Sequence, residues 1–295
     1  MSQQLTPSQC IDLIKSHSFA VQKKLGQNFL IDTNILSAIV DAAEVGPEDC
    51  VLEIGPGMGA LTGHLLERAA KVIAVEVDKM LIPVLEGTLG SNDKLHLINN
   101  DILKVDIAKL IEEENDGHPI KVVANLPYYI TTPIVMELLE KEHNIADITV
   151  TVQKEVAQRM TEGPGSKAYG ALSLAVQYYS RPKLVMNVSK HCFYPKPDVD
   201  SAVIKLDIYR PEERPVKVDD TAMLFKVIRA AFEQRRKTVV NALGNAGNLS
   251  YSKAQVCQAL KAIGKSETIR GETLTLEEFA RLSDVLQKLH RNKTC

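Results

Sequence analysis

One stretch of this chain, Cys50-Val-Leu-Glu-Ile-Gly-Pro-Gly-Met-Gly59, joins a short apolar run to a cluster of glycines. An apolar run of this length that stops at glycine predicts a buried strand followed by a tight turn. Leu61, Leu65 and Leu66 then recur at helical spacing, and a second apolar run covers residues 72–77. The stretch therefore predicts a strand, a glycine turn, a helix and a second strand.

The same alternation continues along the chain. Further strands are predicted at residues 95–98, 122–124, 148–152, 184–188 and 201–206, and helical spacing recurs at 33–44, 134–141 and 156–160. Strands that alternate with helices form a mostly parallel sheet with helices on both faces. We therefore predict a doubly wound, Rossmann-like α/β domain. Its β-rich tail, residues 184–207, is expected to form a hairpin at one edge of the sheet.

The last third of the chain has a different character. Residues 209–215 are charged and contain two prolines, which is typical of a linker. Helical spacing follows at residues 220–242, 253–263 and 276–289, and Thr275 and Glu278 have the spacing of a capping box. We expect two domains: residues 1–211 with an N-terminal arm and the α/β fold, and an all-helical domain at residues 212–295.

Composition excludes several classes of protein. Lys and Arg total 35 against 37 Asp and Glu, a net charge of -2, so bulk charge gives no argument for a nucleic-acid partner. The 5 cysteines are scattered without a CxxC pair, which argues against a disulfide framework or a zinc cluster. No secretory signal and no apolar stretch of membrane-spanning length is present. We expect a cytoplasmic protein with no metal and no membrane partner.

The glycine turn predicts a nucleotide-type ligand, because glycine lets the backbone approach a ligand and the following helix presents free N–H groups. Gly55, Gly57 and Ala60 also match the dinucleotide pattern G-x-G-x-x-G/A, so a nicotinamide enzyme is a competing hypothesis. Glu76 ends the second strand, where a carboxylate can accept hydrogen bonds from ribose hydroxyls.

Two further acids favour S-adenosylmethionine over a dinucleotide. Glu53 precedes the glycines and Asp101 follows the third strand of the predicted domain. A carboxylate there can accept a hydrogen bond from the adenine amino group, and its charge suits a cationic ligand. A helix N-cap is the alternative interpretation of Asp101, and it stays open.

The tetrapeptide Asn125-Leu-Pro-Tyr128 follows the fourth strand and is the most informative motif. The exocyclic amine of a nucleobase is a poor nucleophile because its lone pair is delocalised into the ring. A side-chain oxygen from Asn125 and the carbonyl of Leu126 could accept its N–H groups, while Tyr128 stacks on the base. An ordinary strand end is the alternative. Farther along, Phe193 could clamp the opposite face of the base or be a simple core residue.

Seven motifs lie along nearly the whole chain: Lys24-Leu-Gly-Gln-Asn-Phe-Leu30, Glu53-Ile-Gly-Pro-Gly-Met-Gly59, Val75-Glu-Val-Asp78, Asn100-Asp101, Asn125-Leu-Pro-Tyr128, Phe193-Tyr-Pro-Lys-Pro-Asp-Val-Asp-Ser201 and Phe232-Glu-Gln-Arg-Arg-Lys-Thr238. In combination they resemble the ribosomal RNA adenine N6-dimethyltransferases, in the bacterial small-subunit branch linked to kasugamycin sensitivity. The related large-subunit methylases of macrolide resistance share the catalytic motifs, and the helical domain favours the first branch.

The resemblance implies an S-adenosylmethionine site lined by Asn28, Leu30, Gly55, Gly57, Glu76, Asp101 and Asn125. It implies that Asn125, Leu126, Tyr128 and Phe193 surround the target adenine. It also implies that two adjacent adenosines in the 3′-terminal hairpin loop of 16S rRNA are dimethylated, within the small ribosomal subunit or its precursor, by a monomeric enzyme. A binding protein that assists ribosome assembly on the same scaffold is the alternative from another class.

An RNA partner needs a local cationic surface. We predict that Lys24, Lys196, Arg236 and Lys237 contribute to it. On one continuous helix from residue 220, Arg236 and Lys237 would point away from the apolar stripe, whereas Arg235 would fall on it. We therefore expect Arg235 to bind a carboxylate between the domains. A solvated basic face is the alternative for the other two.

Overall fold

The computed structural model describes residues 6–16, 27–141 and 144–294. Its strands are β1 (Phe29–Leu30), β2 (Cys50–Ile54), β3 (Lys71–Glu76), β4 (Leu95–Asn99), β5 (Ile120–Asn125), β6 (Ile145–Gln153), β7 (Ser180–Val188), β8 (Phe193–Tyr194) and β9 (Ser201–Ile208). Its α-helices are α1 (Pro7–Ser16), α2 (Thr33–Ala42), α3 (Ala60–Leu66), α4 (Ile82–Leu89), α5 (Ile107–Asn115), α6 (Thr131–Glu140), α7 (Lys154–Thr161), α8 (Ala171–Tyr179), α9 (Thr221–Glu233), α10 (Val239–Gly244), α11 (Lys253–Ala262) and α12 (Leu276–Thr294). The predicted Rossmann-like alternation is confirmed.

Seven strands form one sheet in the order β4-β3-β2-β5-β6-β9-β7. The first five run parallel, and β9 pairs antiparallel with β6. The chain winds outward from β2 to β4 and then returns to place β5 on the other side of β2. Ligands in open α/β sheets bind in the crevice at such a reversal, beyond the carboxyl ends of the strands.

The sheet is tightly packed because its central strands are apolar on both faces. All five residues of β2 are buried, and Val51 shares one hydrophobic cluster with Leu36 of α2 and Leu65 of α3. The turn after β2 requires glycine: Gly57 has φ +59°, and a Cβ atom there would lie 2.9 Å from the ring of Phe29. Local sequence and packing therefore agree on where this turn lies.

The chain divides into two compact units, Met1–Ala157 with Arg181–Ile208 and Gln158–Ser180 with Tyr209–Cys295. This division differs from the sequence-based one at residues 211/212, because α8 packs on α9 within the helical unit. Tyr179 of α8 stacks on Phe225 of α9 with 5.3 Å between ring centroids. Aromatic packing of this kind carries no local sequence signal, so the sequence pattern alone places the segment in the α/β domain.

The prediction of one helix across residues 220–242 is wrong. Helix α9 ends at Glu233 and α10 begins at Val239, with a turn at residues 234–237. Thr238 caps the new helix by accepting a hydrogen bond from the Asn241 N–H at 3.4 Å, and the Val239 N–H donates to the Ile269 carbonyl at 2.8 Å. These bonds stabilise a break that the apolar spacing alone does not reveal.

In the part of the chain that the structure describes, no helix is long and apolar enough to cross a membrane. Within those same residues, no group of three or more His, Cys, Asp or Glu side chains could hold a metal ion.

Candidate active site

A cleft with a cavity volume of about 140 Å³ opens at the carboxyl ends of β2, β3 and β5. Eight of the residues predicted for the site line it, namely Asn28, Gly55, Gly57, Glu76, Asp101, Asn125, Leu126 and Tyr128. The cleft is where the reversal of strand order predicts a ligand site. The structure therefore has a cavity at the sheet edge where the sequence predicts a site.

The glycine turn and Glu76 form one wall of the cleft. Glu76 is buried, and its Oε2 accepts a hydrogen bond from the Gly57 N–H at 3.1 Å while its Oε1 accepts one from the Asp78 N–H at 2.8 Å. Burial raises the pKa of the Glu76 carboxyl above its usual value. Each oxygen keeps a lone pair, so the carboxylate can still accept hydrogen bonds from ligand hydroxyls.

Asp101 is a helix N-cap in this structure and also lines the cleft. Its Oδ1 accepts a hydrogen bond from the Leu103 N–H at 3.1 Å, so it caps the short 3-10 helix Ile102–Lys104. It also lines the cleft, and its Oδ2 lies 3.9 Å from the Lys104 ammonium. The N-cap interpretation therefore describes this structure, and a hydrogen bond to an adenine amino group stays a prediction.

Glu53 is the most deeply buried acid of this region, with 1% of its surface exposed. Its Oε2 has no hydrogen-bond partner among the described residues, and burial raises its pKa to about 8. Glu53 lines a smaller cavity beside the cleft, together with Gly55, Gly57 and Asn125. A buried carboxyl oxygen without a partner costs free energy, and a cationic group nearby would reduce that cost.

Asn125 is the last residue of β5 and is held in a defined orientation. Its backbone pairs with Thr151 of β6, and its Nδ2 donates a hydrogen bond to the Asn28 carbonyl at 3.1 Å. This bond uses the amide nitrogen and leaves the Oδ1 atom as an acceptor at the cleft. The acceptor role that the sequence predicts for Asn125 is therefore compatible with its side-chain orientation.

The residues after Asn125 form a tight turn. The Leu126 N–H donates to the Thr151 carbonyl at 3.1 Å, and the Leu126 side chain is buried, so any contact with a base would come from its carbonyl. The Tyr128 hydroxyl and the Ser201 Oγ share a hydrogen bond of 2.7 Å. Tyr129, which the sequence prediction omitted, lines the cleft with 57% of its surface exposed.

Phe193 and Leu30 do not line the large cleft. They face each other in the two-stranded pairing of β1 with β8, and Phe193 is only 3% exposed in a hydrophobic cluster with Val188. The core interpretation of Phe193 describes this structure, and a clamp on a base would require its ring to leave the cluster. Leu30 lines the smaller cavity instead. Two-residue strands have no periodicity, so this pairing was not predictable.

The predicted basic residues fall in different places. Lys196 is exposed in the α/β unit, whereas Arg236 and Lys237 are exposed in the turn after α9 rather than on a helix face. The expectation for Arg235 needs correction. It does bind a carboxylate, with its Nε 3.0 Å from Glu272 Oε2, but Glu272 belongs to the same helical unit. Lys24 lies outside the described residues.

Two residues of the quoted motifs carry contacts that sequence analysis did not assign. Asp78 is buried and accepts a hydrogen bond from Gln27 Nε2 at 2.9 Å, which ties the segment before β1 to the loop after β3. Ser201, the last residue of its motif, holds the Tyr128 hydroxyl. In both cases the sequence shows a polar residue inside a motif, but it does not indicate which residue that side chain binds.

Comparisons with known proteins identify a family for this chain. The family model "Ribosomal RNA adenine dimethylase" matches residues 18–288. "Ribosomal RNA small subunit methyltransferase A" of Lachnoclostridium phytofermentans is 55% identical and covers 96% of this chain and 97% of its own, and the protein of that name from Alkaliphilus metalliredigens is 49% identical, covering 96% and 98%.

Solved structures are similar as well. A dimethyladenosine transferase from Plasmodium falciparum matches with a TM-score of 0.70 and 26% identity, covering 90% of this chain and 98% of its own. The 23S rRNA methyltransferase ErmE matches with a TM-score of 0.65 and 27% identity, covering 88% and 100%. By its sequence and its fold, the chain belongs to the ribosomal RNA adenine dimethylase family.

Proposed function

We propose that this protein transfers methyl groups from S-adenosylmethionine to the N6 atoms of two adjacent adenosines in the 3′-terminal hairpin loop of 16S rRNA. The observation that carries the proposal is the position of Asn125, whose Oδ1 is left as an acceptor at the cleft beside the glycine turn. Each adenosine receives two methyl groups. The small ribosomal subunit or its precursor in the cytoplasm is the substrate, and the enzyme acts as a monomer.

The cleft residues fit S-adenosylmethionine, which supplies an electrophilic methyl group on a sulfonium when bound. At Gly55 φ is +69°, and a Cβ atom there would meet nothing within 4 Å. The backbone at this position therefore borders open space that a ligand can occupy. Glu76 keeps acceptor lone pairs for ribose hydroxyls. Glu53 supports a cationic ligand, because its carboxyl is buried and its Oε2 has no described partner.

The chain's own residues act by position and electrostatics. Asn125 Oδ1 and the Leu126 carbonyl accept the two N–H groups of the extruded adenine, which favours a tetrahedral nitrogen with an available lone pair. Tyr128 stacks on the ring and sets the distance between the amine and the methyl donor. A strong base is unnecessary because the proton leaves to solvent after transfer. We further propose that Phe193 contacts the opposite face of the base once its ring leaves the core.

The second methyl transfer has to use the same two acceptors as the first. After one methyl group is added, a single N–H remains for Asn125 Oδ1 and the Leu126 carbonyl. The monomethylated base must therefore rotate about its C6–N6 bond before it can react again. The pocket around Tyr128 has to hold the ring while allowing that rotation.

The RNA contacts come from exposed cations. Lys196, Arg236 and Lys237 are exposed, and we infer that they bind phosphates together with Lys24. A large-subunit rRNA target is the second candidate, supported by the similarity to the 23S rRNA methyltransferase. The small-subunit target is favoured because relatives named for it are 49–55% identical over nearly the whole chain.

The test is transfer of labelled methyl groups from S-adenosylmethionine to small subunits that lack the modification, with the labelled nucleoside identified. We expect N6,N6-dimethyladenosine in the 3′-terminal hairpin. Label in large-subunit RNA alone would select the second candidate. Absence of transfer together with saturable binding of a nicotinamide dinucleotide would reject both, in favour of an oxidoreductase. RNA binding without transfer would favour an assembly factor.

A further inference from the structure

The hydroxyl groups of Tyr128 and Ser201, which are 73 residues apart in sequence, share a hydrogen bond of 2.7 Å. Ser201 is fully buried at the start of β9, and Tyr128 lines the cleft from the turn after β5. The next residue, Tyr129, also lines the cleft and is 57% exposed. The hydrogen bond therefore fixes one ring out of an adjacent pair.

Ser201 is a rigid anchor because of its place in the sheet. It pairs with Gln153 of β6, and two residues earlier on the same strand Thr151 pairs with Asn125. The acceptor residue and the anchor are thus attached to one central strand. The last backbone hydrogen bond from this segment to β6 is that of Leu126, and Tyr128 lies two residues beyond it. The turn alone would therefore leave the ring free to move. The hydrogen bond to Ser201 fixes the distance between the Tyr128 ring and Asn125.

We propose that Ser201 is a positioning residue that holds the Tyr128 ring in register with Asn125. This inference rests on the proposed function and assigns to Ser201 the alignment of the stacked base. Burial raises the pKa of the Tyr128 hydroxyl, so it stays a neutral phenol and the hydrogen bond persists through the physiological pH range.

The second methyl transfer depends most on this anchor. The unmodified adenine is oriented by two N–H contacts and by stacking, whereas the monomethylated base has lost one of those contacts. Its orientation then relies more on the ring of Tyr128. A loosened ring should therefore release more N6-methyladenosine before the second transfer, a signature that a general loss of stability would not produce.

The experiment compares Ser201→Ala, Tyr128→Phe and the double variant in methylation of unmodified small subunits. We expect each single variant to lower kcat about tenfold, since small misplacements of reacting groups are costly. The ratio of monomethyl to dimethyl product should rise several-fold. Because both substitutions remove the same bond, the double variant should be no worse than the more affected single variant.

A matched control removes the same kind of bond elsewhere. The Tyr178 hydroxyl and the Thr221 Oγ1 are 3.1 Å apart in the helical unit. Tyr178→Phe and Thr221→Ala should lower the Tm by a similar amount while leaving the product ratio unchanged. If Ser201→Ala does not fold, Tyr128→Phe still breaks the bond without altering β9.

A wild-type product ratio and kcat in Ser201→Ala, or in Tyr128→Phe if the serine variant is unfolded, would overturn the inference. So would multiplicative losses in the double variant, because they would mean that the two hydroxyls act independently. These outcomes are distinct from failure of the proposed function, in which the wild-type enzyme itself would not methylate adenosine.

Discussion

The two ends of the central sheet differ in whether their charged side chains form ion pairs. At the amino end, Lys121 lies 3.4 Å from Asp49 and 3.6 Å from Asp147, and it also donates to the Glu44 carbonyl at 2.7 Å. Lys205 lies 2.8 Å from the Glu44 carboxylate. Both of these lysines face a carboxylate, so their charges are compensated within the chain.

The carboxyl end has buried acids instead. Glu53 and Glu76 lie on adjacent strands, and among the described residues neither forms an ion pair with a lysine or arginine. Unpaired buried carboxyls reduce stability unless something compensates them. The amino end is thus stabilised by ion pairs within the chain, whereas the carboxyl end holds acids that fit the cationic ligand proposed above.

The largest effect is expected for Asn125→Ala, which removes an acceptor at the carboxyl end. Both transfers should slow by about 10²–10³-fold, the typical loss for one preorganised hydrogen-bonding group at a reacting centre. Single-turnover methylation measures it. Asn144→Ala is the control, because Asn144 also donates its Nδ2 to a carbonyl, that of Gly117 at 2.7 Å, but lies at the amino end. Full activity of Asn125→Ala would remove Asn125 from the mechanism.

Lys121→Met tests the amino end. It leaves Asp147, a buried acid whose pKa is raised by burial, without its nearest cation. We expect a loss of about 2–4 kcal/mol in the free energy of unfolding, because removal of one partner strands a buried charge. Denaturant titration measures this, and Lys109→Met on the exposed face of α5 is the control. Per folded molecule, the methylation rate should not change; a selective loss of rate would contradict the division of roles.

Glu76→Ala should weaken binding of S-adenosylmethionine by about tenfold to a hundredfold, since hydrogen bonds to a charged group contribute about 1.5–3 kcal/mol each. Calorimetric titration measures the affinity. Glu86→Ala, at an exposed position on α4, is the matched control. Equal affinities in the two variants would show that Glu76 only supports the glycine turn.

Glu53 predicts a pH dependence of the ligand-free protein. Its folded pKa of about 8 lies above the ordinary value of 4.5, so the folded state binds the proton more tightly than the unfolded state. The contribution to stability is complete below about pH 4.5 and is lost as the pH rises toward 8. Thermal melts should therefore show a Tm that declines over this range, and Glu53→Gln should flatten the decline. An unchanged slope in Glu53→Gln would assign the dependence to other groups.

The fold was predictable where local pattern and packing agree. Strand β2 ends at Ile54 as the apolar run predicts, and Thr275 and Glu278 form the expected capping box, with bonds of 3.0 and 3.2 Å. The site edge followed from the same logic, because motif residues placed after parallel strands converge on one end of the sheet.

What escaped prediction depends on contacts between distant segments. The burial of Phe193 arises from its pairing with Leu30, and the break after Glu233 is stabilised by Arg235, whose Nη2 donates to the Ser166 carbonyl at 3.1 Å. The partner of Ser201 is likewise remote in sequence. A helical wheel drawn across the break gave Arg236 and Lys237 a helix face that does not exist.

The smallest effect is expected at that turn. Replacing Arg236 and Lys237 together with Glu should weaken rRNA binding several-fold and reduce the slope of log K against log salt by up to about 0.7–0.9 for each lost phosphate contact. Lys253→Glu with Lys288→Glu makes the same change in net charge at exposed positions of the helical unit. A reduced slope in the first double variant alone would place the turn against phosphate. A direct phosphate contact depends on where the cation lies as well as on its charge. Equal slopes in the two double variants would therefore mean that the turn contributes only to the net charge.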